Sequence, residues 1–413
     1  MNHPMPKSHV PVNFMPSRRS LRIALVTEPY RSAIQGAASI VARITEGLRQ
    51  RDHMVQLVRP TRGPLDRANP RAGLEELLAP AISLLPNGRM RVGLPLRQTL
   101  SQLWSRCRPD VVHIATEGPL GWSALQAALA LKLPLCTDFR SNFHLQQRFH
   151  GVPWLQKPAM AYLRNFHNLG HCTMVPTDAL RRQLSAEGFS RLSIVVRGVD
   201  THLFSPRKRS PALRLQWGLD DGGVAVLYAG GMAEGENHDA AWRAFQQVRS
   251  KQPAARLVVL GEWPGRRALQ AQWREAVFTG YRNGEDLARC YACGDMLLWP
   301  ALREQFGGIT SEASASGLAV VAFDEICEDA PVAAGRNAIL ASRSDVAAFT
   351  RRAVGLACDG EMRRRMGEQA REDAMELGWD GLVPRIEDLY AATIATANAT
   401  PLPRVWAQAR RVR

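Results

Sequence analysis

The sequence predicts an α/β protein built from two doubly wound domains in tandem. Three observations lead there. Short apolar runs of β-type composition alternate with segments of helical spacing. A polar, Pro-bearing connection over 197–211 divides this alternation into two halves. And 413 residues exceed one ordinary core but suit two of roughly 150–200 residues each.

The elements follow in order. LRIALV (21–26) is a buried-strand run, the loop TEPYRSAIQG follows, AASIVARITEGLRQRD (37–52) has helical spacing, and MVQLV (54–58) is a second strand. This is one β-α-β unit, the building block of a parallel sheet with right-handed crossovers. Pro and Gly crowd residues 60–95, which therefore read mostly as loop. Strand and helix then alternate again: DVVHIA, PLGWSALQAALAL, LPLCTDF, KPAMAYLRNFHNLG, CTMVP, TDALRRQLSAEG and LSIVV. Beyond the connection, VAVLYAG and ARLVVLG are strands around the helix AAWRAFQQVRS. AVFTG, MLLWP and AVVAF are further strands, GGITSEASASG is a helix between the last two, and 345–396 is helical. Residues 1–20 form a polar tail, expected to be disordered; 21–198 and 199–376 are the two domains; 377–413 is expected to pack back on the first. In such sheets ligands sit beyond the C-terminal strand ends, here expected to face a cleft between the domains.

Composition excludes several classes. The net charge of +15 permits attraction to an anionic membrane face or to phosphorylated substrates, but no zinc-finger or RNA-recognition spacing supports nucleic acid as a partner. Seven Cys, not bracketing short loops, suit a reducing compartment. Cys290 and Cys293 form a C-x-x-C inside a helical pattern and read as two small residues on one helix face. The N-terminal stretch lacks the apolar region of a secretory signal, and no segment reaches the roughly 18–20 apolar residues a span requires. A cytoplasmic protein, peripheral at most on the inner membrane face, is expected.

REQFGGITSEASASG (303–317) is the most informative stretch. A Gly pair, Gly307 and Gly308, opens a helix, with Glu304 before it and Glu312 about two turns beyond. Glycine amides approach a phosphate closely and a helix N-terminus favours its charge. A carboxylate suits the paired hydroxyls of a sugar or ribose. Helix capping by Glu312, with Glu304 a plain loop acid, is the alternative.

The stretch E-Q-F-G-G-I-T-S-E resembles the E-x7-E motif of retaining glycosyltransferase family 4. RPDVVHIATEGPLGWSAL, LRNFHN, RGVDTHLFSP, FTGYRNGEDLARCYACGD and ASGLAVVAFD are similar to that family in the same order, over residues 21 to about 390. The resemblance implies the GT-B fold, two Rossmann-like domains with a nucleotide-sugar donor bound mainly to the second. It implies that Gly36 meets the donor phosphate, that Glu312 holds the ribose, and that Glu304 stands near the sugar hydroxyls. It further implies that Phe306, Gly307, Gly308 and Ile309 line the sugar-phosphate and that Tyr281 lies in the loop covering the base. No cofactor is implied and no metal is expected, because protein cations neutralise the diphosphate in this family. The acceptor it implies is a lipid or a glycan.

Against that pattern the chain departs in three places. Where relatives read V-G-R-L-x-x-E-K-N, this chain reads A-G-G-M-A-E-G-E-N, so Gly231 takes the Arg position and Glu236 the Lys position. Arg140 stands where relatives have a His beside the reacting sugar. Each charge-assisted hydrogen bond is worth roughly 1.5–3 kcal/mol, so losing two costs roughly 3–6 kcal/mol, on the order of 10²–10⁴ in affinity or rate. Arg140 returns one cation, Arg303 is a second candidate, and Glu304 with Arg140 is the expected catalytic pair. The two readings are a hexosyltransferase that holds its donor differently and a catalytically impaired relative serving as a binding or scaffold protein.

Overall fold

The structure is a computed structural model that describes residues 19–28, 37–83, 91–139, 154, 156–220, 222–229, 237–262, 266–301, 308–324, 332–342 and 345–399. The polar tail therefore falls almost wholly outside the described residues.

Two parallel sheets form the frame. The first has seven strands: β1 (Arg22–Val26), β2 (Met54–Pro60), β3 (Leu74–Ala79), β6 (Val111–Ile114), β7 (Leu135–Asp138), β8 (Cys172–Val175) and β9 (Leu192–Ile194). Their order is β3-β2-β1-β6-β7-β8-β9. The second has six: β10 (Ala225–Ala229), β11 (Arg256–Leu260), β12 (Val277–Gly280), β13 (Met296–Trp299), β14 (Ala319–Phe323) and β15 (Ala338–Ala341), in the order β12-β11-β10-β13-β14-β15. Between β3 and β6 lie a short hairpin, β4 (Ala81–Ser83) with β5 (Arg91–Gly93), and helix α2 (Arg97–Arg106).

Residue period explains the layers. Along β1, Ile23 and Leu25 join one apolar cluster while Ala24 and Val26 join the cluster on the opposite face. Along β10, Ala225, Leu227 and Ala229 face one cluster, and Val226 and Tyr228 the other. Alternating side chains point to opposite faces, so a strand covered on both sides must be apolar on both, as Ile23 to Val26 and Ala225 to Ala229 are. The crossovers of the first half are α1 (Ala37–Gln50), α3 (Pro119–Ala130), α4 (Gln156–Asn168) and α5 (Asp178–Ala186). Those of the second half are α7 (His238–Lys251), α8 (Arg266–Gln272), α9 (Gly284–Ala292) and α10 (Ile309–Ala315), after a short α6 (Pro211–Gln216). The helical C-terminal stretch resolves into α11 (Val346–Cys358), α12 (Gly360–Met375) and α13 (Trp379–Ala399).

The segment expected to be mostly loop over 60–95 holds β3, β4 and β5 instead. β3 pairs with β2 from Val55↔Leu74 to Pro60↔Ala79. The intervening loop is pinned by a buried guanidinium, Arg59, which donates to Asp66 at 2.6 Å and to Glu76 at 2.9 Å. Pro and Gly thus make the turns here, and the pairing partner makes the strand.

Helix α13 closes the first half. Its Leu382, Val383, Ile386 and Tyr390, spaced on one face, enter the cluster that holds Ile23 and Leu25. A Cβ at Gly47 of α1 would strike Val383, so the glycine lets the two helices approach. Glu387 accepts from Arg51 Nε at 2.5 Å and sits 2.9 Å from His53 Nε2. The chain passes between halves at two adjacent points, where Val199 and Gly378 form a parallel bridge. Arg371 of α12 fastens this crossing to α10, donating to the carbonyls of Thr201 (3.0 Å), Phe204 (2.8 Å) and Ala315 (2.6 Å).

Candidate active site

Strand order locates the site. In the second sheet the first strand, β10, lies between β11 and β13, so the winding reverses at the β10–β13 pair. Doubly wound sheets bind ligands beyond the C-terminal strand ends at that reversal. The chain leaving β10 runs through residues 230–236 and the chain leaving β13 through 302–307; these carry Gly231, Glu236, Glu304, Phe306 and Gly307, all outside the described residues. In the first sheet the reversal is at β1–β6. Gly36 follows β1 and Arg140 follows β7, and both also lie outside the described residues.

Gly308, Ile309, Glu312 and Tyr281 are described. Gly308 caps α10 with φ −99° and ψ −38°, and the half-buried Glu312 stands in the first turn. A Cβ built on Gly308 would meet Oε1 of Glu312 at 3.7 Å, an ordinary van der Waals distance. Neither its backbone conformation nor its packing against the described residues requires glycine there. Thr310, Ser311 and Ser314 are buried, so α10 is anchored along its length. Tyr281 follows β12 and is 56% exposed; its N–H lies 3.4 Å from Oε2 of Glu262.

Sequence reasoning missed Asn237. It sits at φ +46°, ψ +42°, a left-handed conformation that asparagine tolerates better than most residues, and it begins α7. Its Nδ2 donates to the carbonyl of Pro300 at 3.2 Å. One side chain thereby ties the segment after β10 to the segment after β13, across the reversal. Its place at the end of the acidic stretch was the available signal.

A second acidic group stands at the first sheet's reversal. Glu28, just past β1, accepts from Leu120 N–H of α3 at 3.0 Å. Burial pushes its carboxyl above the usual carboxylate range, and Glu117 nearby adds to the shift; the Leu120 and Gly121 amides oppose it. Glu117 is 3.3 Å from His167 Nε2, and His167 Nδ1 is 2.8 Å from Thr137 Oγ1. Tyr162 donates its hydroxyl to the carbonyl of Glu117 at 2.5 Å, and desolvation pushes its phenol up to about 12. Both acids directly follow strands, which was the signal for them in the sequence. No group of three or more metal-ligating side chains occurs among the described residues.

Comparison with known proteins adds the identity. A profile described as Glycosyltransferase Family 4 matches residues 34–203, and one described as Glycosyl transferases group 1 matches residues 223–359. A GDP-mannose-dependent alpha-mannosyltransferase of Mycobacterium tuberculosis is 31% identical over 311 residues, covering 74% of this chain and 79% of that protein. The chain belongs to glycosyltransferase family 4. A GDP-mannose-dependent alpha-mannosyltransferase of Corynebacterium glutamicum is 27% identical, covering 93% of this chain and 92% of that protein. The GT-B fold of this family-4 glycosyltransferase is shared with sucrose-phosphate synthase from Thermosynechococcus elongatus, at a TM-score of 0.72 and 17% identity over 92% of this chain and all (100%) of that one. Anabaena HepE in complex with UDP and glucose matches at 0.67 and 15%, over 90% of this chain and 100% of that one. Among the described residues no helix is long and apolar enough to cross a membrane.

Proposed function

We propose that this glycosyltransferase moves a hexose from a nucleotide-sugar donor to a lipid or glycan acceptor with retention and without a metal. The observation that carries the reading is the placement of Gly308 and Glu312 at the start of α10, the helix that follows β13, which pairs with β10. That is where a doubly wound sheet receives a diphosphate, with a carboxylate one turn away for hydroxyls. In the transfer, the bond from the anomeric carbon to the diphosphate oxygen breaks with its electron pair staying on the diphosphate. The acceptor oxygen bonds to that carbon on the same face, and its proton passes to the departing phosphate oxygen. The likeness to two GDP-mannose-dependent alpha-mannosyltransferases supports a hexosyl donor. Gly36, Arg140, Gly231, Glu236, Tyr281, Glu304, Phe306, Gly307 and Ile309 keep the roles the resemblance gives them, with Glu304 and Arg140 at the reacting sugar.

The second reading, a catalytically impaired binding protein, draws on the departures at Gly231, Glu236 and Arg140. One experiment separates the two. Purified protein is titrated calorimetrically with nucleotide sugars in chelator, and any ligand is then assayed for turnover with acceptor mixtures, the product anomer being read by NMR. Binding with retained-anomer product supports the transferase. Binding without turnover supports the impaired reading. No binding to any nucleotide sugar refutes both.

A further inference from the structure

Arg371 of α12 touches none of the groups assigned to the donor, yet its surroundings point toward them. Among the described residues its hydrogen-bond partners are backbone carbonyls alone. Nη1 donates to Phe204 at 2.8 Å and to Ala315 at 2.6 Å, and Nη2 donates to Thr201 at 3.0 Å. Burial, and then the nearby charge of Arg207, hold the half-buried guanidinium below the ordinary arginine range, so a charge kept there is costly. Ala315 is the last residue of α10, and the last carbonyls of a helix have no partner within it. One nitrogen of Arg371 therefore caps the helix that carries Glu312 and grips the connection between the halves at the same time.

Close packing stiffens this corner. A Cβ on Gly367 of α12 would strike the carbonyl oxygen of Gly317, two residues past the end of α10. Gly317 itself holds φ +79°, and a Cβ on it would come within 2.9 Å of Pro206 in the connection. Asp200, also in the connection, takes the Leu203 N–H on Oδ1 at 2.9 Å and Nη2 of Arg43 on Oδ2 at 2.6 Å. Arg43 belongs to α1, so the connection is tied to the first half by Asp200 and to α10 by Arg371. Ala315 and Glu312 are three residues apart, about 4.5 Å along the helix axis, so what holds the one holds the other.

Resting on the donor-site reading, we propose that Arg371 is a positioning residue for the donor: through the Ala315 carbonyl it sets where Glu312 stands relative to the first half. α10 has seven residues, too few to hold a helix by themselves, so its place comes from its neighbours. Misplacing a binding group by about 1 Å costs up to about a hundredfold. The planar guanidinium suits the task because its N–H groups diverge in a fixed fork. A lysine ammonium is a point charge on a flexible stem and cannot hold three carbonyls in set directions. Arg371 acts at the opposite end of α10 from Gly308, so it works through the helix and not by contact.

The test is a double-mutant cycle on the full chain, read by calorimetry with GDP, UDP, ADP and CDP. The variants are Arg371→Met, Arg371→Lys, Glu312→Gln and the pair Arg371→Met with Glu312→Gln, each checked by circular dichroism and melting temperature. Arg371→Met should weaken whichever nucleotide the unmodified protein binds by about tenfold or more, and Arg371→Lys by less. In the Glu312→Gln background, Arg371→Met should cost no more than about threefold, because the carboxylate it positions is gone. Should Arg371→Met not fold, the cycle is run with Arg371→Lys, whose loss should shrink in the same background. A lower melting temperature with unchanged affinity overturns the assignment and leaves Arg371 a fastener of the fold. So does a loss that is undiminished in the Glu312→Gln background. If no nucleotide binds, or if Glu312→Gln alone changes nothing, the donor-site reading itself fails and takes this one with it.

Discussion

Tyr390 places its hydroxyl 2.7 Å from Nδ1 of His113, although 277 residues separate the two. Both side chains are fully buried. The far side of the imidazole faces Asp138, with Nε2 3.6 Å from Oδ2, and one turn further along α13 Thr393 Oγ1 meets Cys136 Sγ at 3.1 Å. The last helix is therefore part of the polar wiring of the first sheet and not only its apolar cover. Tyr390→Phe keeps the ring and deletes the partner of a buried nitrogen, which costs about 1–3 kcal/mol. Urea denaturation should show a lower midpoint with an unchanged slope; an unchanged midpoint would show that His113 finds another partner.

At α10, a Cβ on Gly308 would meet Oε1 of Glu312 at an ordinary 3.7 Å, and the φ of −99° suits any residue. Gly308→Ala should fold and melt like the unmodified protein yet bind nucleotide sugar more weakly. Glu312→Gln should lose roughly 10- to 100-fold in affinity, the value of one charge-assisted hydrogen bond. Calorimetry decides both, and full affinity in Glu312→Gln would remove this residue from the site.

The resemblance to glycosyltransferase family 4 sets Gly231 and Glu236 at positions expected to carry cations. The double change Gly231→Arg, Glu236→Lys should tighten donor binding by about tenfold or more if those are losses at the diphosphate. If Arg140 already neutralises the diphosphate, the added cations should change little and Arg140→His should abolish turnover. Should neither variant alter binding or rate, this site holds no diphosphate.

Glu28 gives a pH signature. Its carboxyl is raised in the folded chain, first by burial, so folding favours the protonated form. That contribution is complete below the unfolded-state value and is lost as pH rises through the folded-state value. Glu28→Gln removes the buried charge and keeps an acceptor for the Leu120 N–H. The variant should melt higher than the unmodified protein at about pH 8, with the difference closing toward about pH 4. A difference independent of pH would contradict the sign.

The charge of +15 makes attachment to anionic surfaces an expected property of the first half. Screening shortens to about 3 Å at 1 M salt. Sedimentation with phosphatidylglycerol vesicles should show binding at low salt that disappears at high salt; no binding at low salt would exclude attachment by charge.

The alternation of RIALV, AVLYA and their neighbours with helices was legible because strands covered on both faces have no polar period to blur them. LEELLA was not legible as β3. Its Glu75 and Glu76 look solvated, and its strand character comes from pairing with β2 and from Arg59, which binds Glu76. AILA, as β15, owes its place to β14 in the same way. Gly308 and Glu312 could be found because their relation is local to one helix. Glu28, Asn237 and Arg371 could not be ranked above other polar residues, because their positions follow from strand order and from backbone partners far along the chain.

The two crossings described above also define what can be exchanged. Val199 N–H bonds the carbonyl of Leu377 at 3.0 Å, so the second half enters and leaves the first at neighbouring points. Topologically it is an insert, and the first half is a discontinuous unit completed by α13. Cutting the chain once at the crossing would leave the first sheet with Ile23, Leu25 and His113 uncovered. Joining residue 198 directly to 379 would keep the first half whole, and a donor half from another family member could be spliced between those same two points. Recombination within such a family therefore has a natural pair of seams here, and a chimera made with only one of them should fail to fold.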